Sequence, residues 1–410
     1  MATNKSFHFD GSQDQRLAFD VDISNISDLA GLRQVIGSSC AVVKPEGLSF
    51  HCDDDLLEDV SDVEAAAGSI AIKVDGYPVR TVPGPAGLPL VGNYFEVYPD
   101  HLGNNQRLFE KFGPIFKTSS MGQTVCQTND PELADICFAE SDFFSKENTP
   151  EHPLYPIKQQ MAGVFLADTS HPSWKVVHKF LPPALGPKAV RHYAIAMNEC
   201  CKESYPVFDE LEAKNEAWNV YQFMLKLSSG TIGKIMLGQD FEHFSSVDAP
   251  LHMMVLAMAE VLSINKKISS RGEWYSHLPF GDPARLKNLQ KYMAEFIEQS
   301  IRDAKSSGTE DLPLQDAALR ASNVIDQIDE LPMLGKFIKE MQRRHNPSYQ
   351  PGRTAQQDLI LPGGYQVKKG TVVICAIHHI SNNPKIWDNP NNFDPDRCCT
   401  PSKMCTSAPV

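Results

Sequence analysis

The amino-acid sequence predicts a mainly α-helical protein with small β-sheets, an α+β fold in which a small α/β module precedes a larger helical domain. Three observations predict it: strand-like alternation near the start, a proline-rich connector at 81–89, and helical apolar stripes beyond the connector. The chain has 410 residues, of which 42% are hydrophobic and 22% charged. These values are typical of soluble globular proteins. We therefore expect two domains, residues 1–80 and residues 81–410.

Short strands and one helix are predicted within the first domain. Apolar and polar side chains alternate over 17–23, which is the period of a half-buried strand. Ser27 is the expected N-cap of the following helix, and Gly37 is its expected end. Two more strands are predicted at 48–52 and 69–74. The order strand, helix, strand, strand favours a compact β-grasp-like module.

Negative charge is concentrated in residues 1–80, which we call the acidic head. The head has 14 acidic and 6 basic residues, whereas the whole chain has 51 and 38 and a net charge of −13. This balance argues against nucleic-acid binding, which requires a basic surface. The head is either a structural module with a solvated acidic face or a docking surface for a basic partner.

No segment predicts secretion or insertion into a membrane. The longest apolar run, 253–259, has seven residues, whereas a membrane-spanning helix needs about 20. Residues 1–10 lack the basic start and apolar stretch of a signal peptide. Ten cysteines are too few for a disulfide scaffold. We expect a protein without a transmembrane segment, located in the cytoplasm or peripherally on a membrane.

Helical periodicity dominates the second domain. A helix is predicted around 174–181, and another begins at Asp282 and Pro283 and ends at Gly308. A third carries an apolar stripe from Met333 to Met341. After it, the β-branched run 370–377 predicts a buried strand.

An ion pair is predicted on the third of these helices. Glu340 and Arg343 lie three residues apart, so they project from nearly the same face. The opposite face is apolar, which places the pair against protein. Because a buried ion pair needs further partners, Arg397 is the expected third member. Taken without further context, this spacing favours a structural surface ion pair, because i, i+3 ion pairs are common on helices.

Several motifs in order give the sequence a family resemblance. From Glu340 onward the chain resembles the helix–strand–meander region of the cytochrome P-450 family. Residues 83–93 resemble that family's proline-rich hinge, and 109–116 resemble its first helix and sheet. Residues 174–184 resemble its haem-edge helix. The Trp-x-x-x-His form of the last motif is similar to the soluble, self-sufficient fatty-acid hydroxylase branch. The resemblance covers about 83–397.

The resemblance implies a chemistry and a set of partners. It implies a haem b cofactor, held by a cysteine thiolate, that inserts oxygen from dioxygen into a C–H bond. Trp174 and His178 would bind the haem propionates, and Glu340, Arg343 and Arg397 would form a structural ion-pair network. Electrons would come from a separate NADPH-dependent reductase. The substrate would be a lipophilic small molecule, either a fatty acid or a secondary metabolite undergoing tailoring.

Two elements of the family pattern are missing from the sequence. The glycine- and phenylalanine-containing loop that holds the haem cysteine does not follow Arg397, and the acid–threonine motif of the distal helix is absent between Gly308 and Glu340. No catalytic residue and no metal ligand are therefore assigned. The expected form is an incomplete P-450-like fold, truncated and inactive as hydroxylase.

Three alternatives accompany this expectation. The chain could bind haem through Cys398, Cys399 or Cys405, or these three cysteines could hold zinc, although their spacing is unusual for zinc. Alternatively, the chain is a non-catalytic binding or regulatory protein that docks a partner through its acidic head.

Overall fold

The computed structural model describes residues 3–53, 55–139, 141–158, 166–306, 331–346 and 351–399. The strands are β1 Asn4–Phe9, β2 Ala18–Asp22, β3 Leu48–Cys52, β4 Asp55–Leu56, β5 Ile70–Val74, β6 Arg80–Thr81, β7 Ile115–Ser120, β8 Gln123–Thr128, β9 Phe144–Ser145, β10 Gly352–Ala355, β11 Leu359–Leu361, β12 Tyr365–Val367 and β13 Val372–Cys375. The helices are α1 Leu29–Cys40, α2 Val60–Ala65, α3 Tyr94–Val97, α4 His101–Phe112, α5 Pro131–Phe138, α6 Pro172–Leu185, α7 Pro187–Ala213, α8 Val220–Ile232, α9 Met253–Arg271, α10 Glu273–Ser276, α11 Asp282–Ser306, α12 Pro332–Arg344 and α13 Ile377–Ser381. Helices and small sheets together form the α+β fold that the sequence predicts.

The acidic head forms a five-stranded mixed sheet in the order β2-β1-β5-β3-β4. The central pair, β1 and β5, is parallel, and its neighbours are antiparallel. Leu32 and Ile36 of α1 pack into the same buried core as Phe7, Phe50 and other apolar side chains of the sheet. The head is therefore a small α/β unit in which α1 packs against a mixed sheet.

Three details of the head differ from the sequence prediction. The first strand, β1, was not predicted, although Phe7 and Phe9 alternate with polar residues and are buried. The N-cap of α1 is Asp28, and not Ser27, because the Asp28 carboxylate accepts a hydrogen bond of 2.7 Å from the Gly31 amide. The helix also continues past Gly37 to Cys40, where Ala41 adopts a left-handed conformation.

Two further sheets organise the region after the connector. The larger has the order β7-β8-β13-β10-β9, with β8 and β13 parallel. All four residues of β13 are buried, as expected for the β-branched run. The smaller sheet has the order β11-β12-β6, in which β12 pairs in parallel with β6 at the end of the head.

The β11–β12 hairpin contacts the acidic head directly. Ile360 is 1% exposed and belongs to the hydrophobic core of the head. Its backbone accepts a hydrogen bond from the Val43 amide and donates one to the Ala41 carbonyl, each 3.1 Å long. The buried side chain of Ile360 and two backbone hydrogen bonds therefore connect the β11–β12 hairpin to the acidic head.

The helices of the second domain bury their apolar faces unequally. Ala257, Ile264 and Ile268 of α9 pack against Leu286 and Leu289 of α11. The predicted stripe of α12 is instead exposed: Met333, Leu334, Phe337, Ile338 and Met341 are 36–55% exposed. Among the described residues, α12 buries Glu340 and Arg343 on its charged side, and Phe337 of the stripe contacts Phe393. The predicted end of α11 at Gly308 lies outside the described residues.

Candidate functional site

Glu340 and Arg343 form a buried ion pair at the C-terminal end of α12. Nε and Nη2 of Arg343 donate to the two carboxylate oxygens of Glu340, both at 2.8 Å. The two side chains are 0% and 5% exposed. This two-pronged geometry fixes the orientation of both side chains as well as their charge.

Backbone groups of the following segments complete the hydrogen bonding of this pair. Arg343 donates to the Ser381 carbonyl at 2.6 Å and to the Pro390 carbonyl at 2.9 Å. The Asp394 amide donates to Glu340 at 3.0 Å. Burial alone raises the pKa of the Glu340 carboxyl, but the hydrogen bonds from Arg343 and Asp394 outweigh it, and the pKa is lowered. Glu340 is therefore held as a carboxylate.

Arg397 lies beside the same carboxylate. Its Nε is 3.5 Å from Oε1 of Glu340, and its guanidinium donates to the backbone carbonyls of Asp388 and Asn389. The structure therefore brings together all three residues for which the sequence suggests an ion-pair network. They connect α12 to residues 388–397, and none of them lines either of the two cavities described below.

Trp174 and His178 lie one turn apart on α6. Their rings stack with centroids 4.3 Å apart and planes at 18°. Trp174 is half-buried and His178 is exposed. No side chain of α6 is fully buried, and the structure describes all 14 of its residues. The two ring N–H groups find no hydrogen-bond acceptor among the described residues, so they are available to an anionic group.

A cavity of about 500 Å³ lies between the larger sheet and helix α9. We call it the sheet–α9 cavity. Its lining combines apolar and polar side chains from α3, α4, β7, β8, β13, α9 and the loop 151–154: Val97, Tyr98, His101, Asn105, Thr118, Ser120, Gln123, Val125, Gln127, Glu151, His152, Pro153, Leu154, Leu262, Asn265, Lys266, Ser269 and Ile374. Its volume is in the range that binds drug-sized molecules.

His152 is a neutral histidine in the wall of this cavity. Burial, with smaller contributions from the nearby cations Arg353, Lys146 and Lys158, lowers its pKa to about 4 against the opposing charge of Asp168. Its Nδ1 accepts a hydrogen bond of 3.1 Å from the Leu154 amide. The ring therefore holds the loop 152–154 in place and carries no charge near neutral pH.

A second cavity, of about 390 Å³, lies between α7, α8 and the loop 238–245. Lys234 in its wall pairs with Glu203 at 2.7 Å and with Asp240 at 3.0 Å. Burial raises the pKa of the Cys200 thiol, which also lines this cavity. The thiol is therefore protonated and weakly nucleophilic near neutral pH.

Comparison with known proteins identifies the family. The family model for cytochrome P450 matches residues 82–323 and 314–403. A relative described as cytochrome P450 monooxygenase alnD, from Emericella nidulans, is 34% identical over 473 aligned positions that cover 96% of this chain and 85% of the relative. The chain belongs to the cytochrome P450 family.

Further cytochrome P450 relatives are much longer proteins, of which this chain matches a part. Bifunctional cytochrome P450/NADPH–P450 reductases of Aspergillus oryzae and Gibberella moniliformis are 25% and 24% identical to this chain. The matches cover 55% and 60% of this chain, but 21% and 22% of the relatives. The chain thus spans about a fifth of these two proteins.

Membership of the cytochrome P450 family implies a haem cofactor, and the described residues fit it in part. Trp174 and His178 place two hydrogen-bond donors side by side on α6, which suits a propionate edge. Of the seven cysteines whose side chains are described, Cys126, Cys137 and Cys375 are buried in the second sheet and its packing helix. Trp174 and His178 line neither of the two cavities, and Cys200 is the one described cysteine that lines either of them.

Several sequence predictions fall outside what the structure describes. The backbone of Cys398 and Cys399 lies in a short 3₁₀ helix, Pro395–Cys399, but their side chains and all of Cys405 lie outside the described residues. The same holds for most of the interval between Gly308 and Glu340. No helix among the described residues has the length and apolar character needed to cross a bilayer.

The sheet–α9 cavity is the feature that sequence inspection missed. Its polar residues, such as His152 and Asn265, are more than one hundred positions apart in the chain. The sequence holds one signal for this cavity: Asn265 is a polar residue on an otherwise apolar, buried face of α9.

Proposed function

We propose that this chain serves the monooxygenase reaction of its family on a lipophilic small molecule that binds in the sheet–α9 cavity. The observation that supports it best is the match to a cytochrome P450 monooxygenase across 96% of the chain. The cavity of about 500 Å³ supplies a binding space bounded partly by apolar side chains. Both a fatty acid and a secondary metabolite satisfy this description.

The residues named from the sequence have two different roles in this proposal. Trp174 and His178 would hold the propionate edge of the haem through their ring N–H groups. With a thiolate ligand, the haem supplies the activation of dioxygen and the transfer of one oxygen atom to a C–H bond. Glu340, Arg343 and Arg397 are structural, because their charges are satisfied by one another and by backbone groups. They hold α12 against residues 388–397.

A finer proposal concerns the interior of the sequence. The two segments matched by the family model overlap at 314–323, so the same ten residues correspond to two separate places in the family pattern. The alignment with the Emericella nidulans relative spans 473 positions, more than the 410 residues of this chain, and therefore contains gaps in this chain. These findings support the hypothesis that the haem site of this sequence is incomplete on its distal side. On this hypothesis the chain as it stands binds substrate but is inactive.

The electron donor is also part of the proposal. The family requires two electrons for each oxygen inserted. A separate NADPH-dependent reductase would supply them. The names of the bifunctional relatives, by contrast, include an NADPH–P450 reductase.

One preparation of the full chain tests both proposals. The protein is produced with a haem precursor, and calorimetric titration with 1-decanol, a lipophilic probe, measures binding in the cavity. We expect saturable binding that is weakened by Ser120→Trp, which adds a large side chain to the half-buried wall of the cavity, and not by Leu56→Trp on the exposed surface of the head. No binding by the wild-type protein would disprove the proposed use of the cavity.

The haem hypothesis is tested by recording the absorption spectrum of the same protein after reduction and addition of carbon monoxide. We expect no thiolate-type Soret band, because the site is incomplete. A full band with one haem per chain would contradict the finer proposal, and turnover with an added reductase would then test the monooxygenase activity directly.

A further inference from the structure

Large apolar side chains are exposed on two segments beside the sheet–α9 cavity. The first segment carries Leu88, Leu90 and Phe95, which are 58%, 95% and 70% exposed. The second carries Trp274 and Phe280, which are 62% and 65% exposed. We call these five residues the apolar rim. Single exposed apolar residues are common on proteins, whereas a group of them marks an interaction site.

Both parts of the apolar rim adjoin the turn between β7 and β8. The Met121 amide in this turn donates a hydrogen bond to the Val91 carbonyl at 3.4 Å. The same residue touches the second part, because a Cβ atom added at Gly272 would lie 2.7 Å from the Met121 carbonyl oxygen. The Tyr275 hydroxyl donates to Asp282 at 3.0 Å, which closes the second part into a short loop. The two parts therefore meet at this turn.

Leu90 is held in a backbone conformation that leucine disfavours. Its φ is +67°, in the left-handed region that glycine and asparagine adopt most easily. Leu88 and Gly92 exchange two backbone hydrogen bonds of 2.9 Å, which close the turn that carries Leu90. A leucine here costs conformational energy and buries little apolar surface within the described residues. This combination is expected of a side chain that an external partner covers.

The apolar rim continues into the wall of the sheet–α9 cavity. Tyr98 lies three positions after Phe95 and lines the cavity. Ser120 at the end of β7 and Ser269 near the end of α9 also line it. A lipophilic molecule dissolved in a bilayer would therefore meet the cavity directly beside the apolar rim.

The charge of this region fits a surface without net charge. Residues 81–95 and 274–281 contain no Asp, Glu, Lys or Arg. The flanking cation Arg271 is paired with Asp282 at 3.1 Å. The whole chain has a net charge of −13, so an anionic bilayer would repel it.

We propose that the apolar rim docks this protein on a bilayer of zwitterionic phospholipid, with its leucine and aromatic side chains inserted at the level of the headgroups. Aromatic and leucine side chains are favoured at this level of a bilayer. The choice of lipid as the partner rests on the proposed function, because a lipophilic substrate is concentrated in a bilayer.

Flotation of the full chain with vesicles of dioleoylphosphatidylcholine tests the proposal. We expect the wild-type protein to float with the vesicles, and the double variant Leu90→Asp with Phe95→Asp to bind at least about tenfold more weakly. The control is the double variant Leu56→Asp with Tyr221→Asp. These two residues are 55% and 77% exposed but lie outside the apolar rim. The control adds the same charge and should float like the wild-type protein.

Contact between the rim and lipid is measured separately through Trp274. Phosphatidylcholine with brominated acyl chains should quench the fluorescence of the vesicle-bound protein. Trp274→Phe should remove most of this quenching, because the other three tryptophans of the chain lie outside the apolar rim.

The outcomes separate this proposal from the proposed function. Absence of wild-type flotation overturns lipid docking, whether or not 1-decanol binds in solution, and so does equal flotation of the two double variants. A lipid-free dimer that Leu90→Asp with Phe95→Asp converts to a monomer would show that a second copy of the chain covers the rim, which also overturns it. Absence of 1-decanol binding overturns the proposed function instead.

Discussion

Glu340 shows how a single side chain determines the position of a whole segment. Its carboxylate accepts hydrogen bonds from Arg343 on α12 and from the Asp394 amide, 54 positions away along the chain. Two oxygens thereby join the end of α12 to the region that leads to Arg397. The side chains of Glu340 and Arg343 are both buried. When one of them is removed, water therefore cannot take its place beside the other.

Replacing Glu340 by glutamine should strongly destabilise the protein. The Arg343 cation would remain buried without its counter-ion, which costs about 3–5 kcal/mol. The free energy of unfolding is measured by denaturant titration, with the surface pair Arg302 and Glu298 as the comparison. Glu298→Gln should change stability little, because both side chains of this pair are exposed. Equal effects of the two substitutions would contradict the structural role assigned to Glu340.

His152 makes stability depend on pH in the acidic range. Its folded pKa, about 4, lies below the ordinary value of 6.5, so between these values the unfolded chain binds more protons. Stability from this group is therefore present above about pH 6.5 and decreases as pH falls toward 4. The full effect is on the order of 3 kcal/mol.

The pH dependence is checked by measuring unfolding midpoints of wild type and His152→Asn between pH 4 and 7. Asparagine can still accept the Leu154 amide hydrogen bond but does not titrate. We expect a shallower pH dependence in the variant. Parallel pH curves for the two proteins would show that His152 is not the titrating group.

At the scale of secondary-structure elements, local patterns predicted some helices and strands well. Strand β3 has the predicted bounds, 48–52, and β5 and α6 were found where alternation and helical spacing placed them. In these elements, the spacing of apolar residues along the chain matches the side of the strand or helix that faces the rest of the protein. Cap residues were less predictable, because Ser27 and Asp28 are adjacent and both have suitable side chains.

Helix α12 shows why the candidate site was only partly predictable. Periodicity identified an apolar stripe and an opposite charged pair, and the structure has both. Which face is buried depends on contacts with distant segments such as 388–394, and these are not encoded in the local period. The cavity was missed for the same reason, since Asn265 and Pro153 meet only through tertiary folding.

At the scale of the whole molecule, the acidic head and the second domain are joined through the β11–β12 hairpin. Besides Ile360, the joint includes Gly363, whose amide donates to Asp75 at 2.8 Å, and Arg80, whose guanidinium lies over the rings of Tyr77 and Tyr365. Five residues after the hairpin, β13 begins, and its Ile374 lines the sheet–α9 cavity. We therefore propose that the division at residue 80 separates two cores that stabilise each other.

Ile360→Asp tests this coupling in the full chain. A carboxylate at a position that is 1% exposed would have to be solvated, which requires the hairpin to separate from the head. We expect faster amide hydrogen exchange in both β5 of the head and β12–β13 of the second domain. Leu56→Asp is the matched control, because Leu56 lies on the head surface and is 55% exposed. If β5 alone lost protection, the head would be an independent module, and its contacts with the hairpin would have no influence on the wall of the cavity.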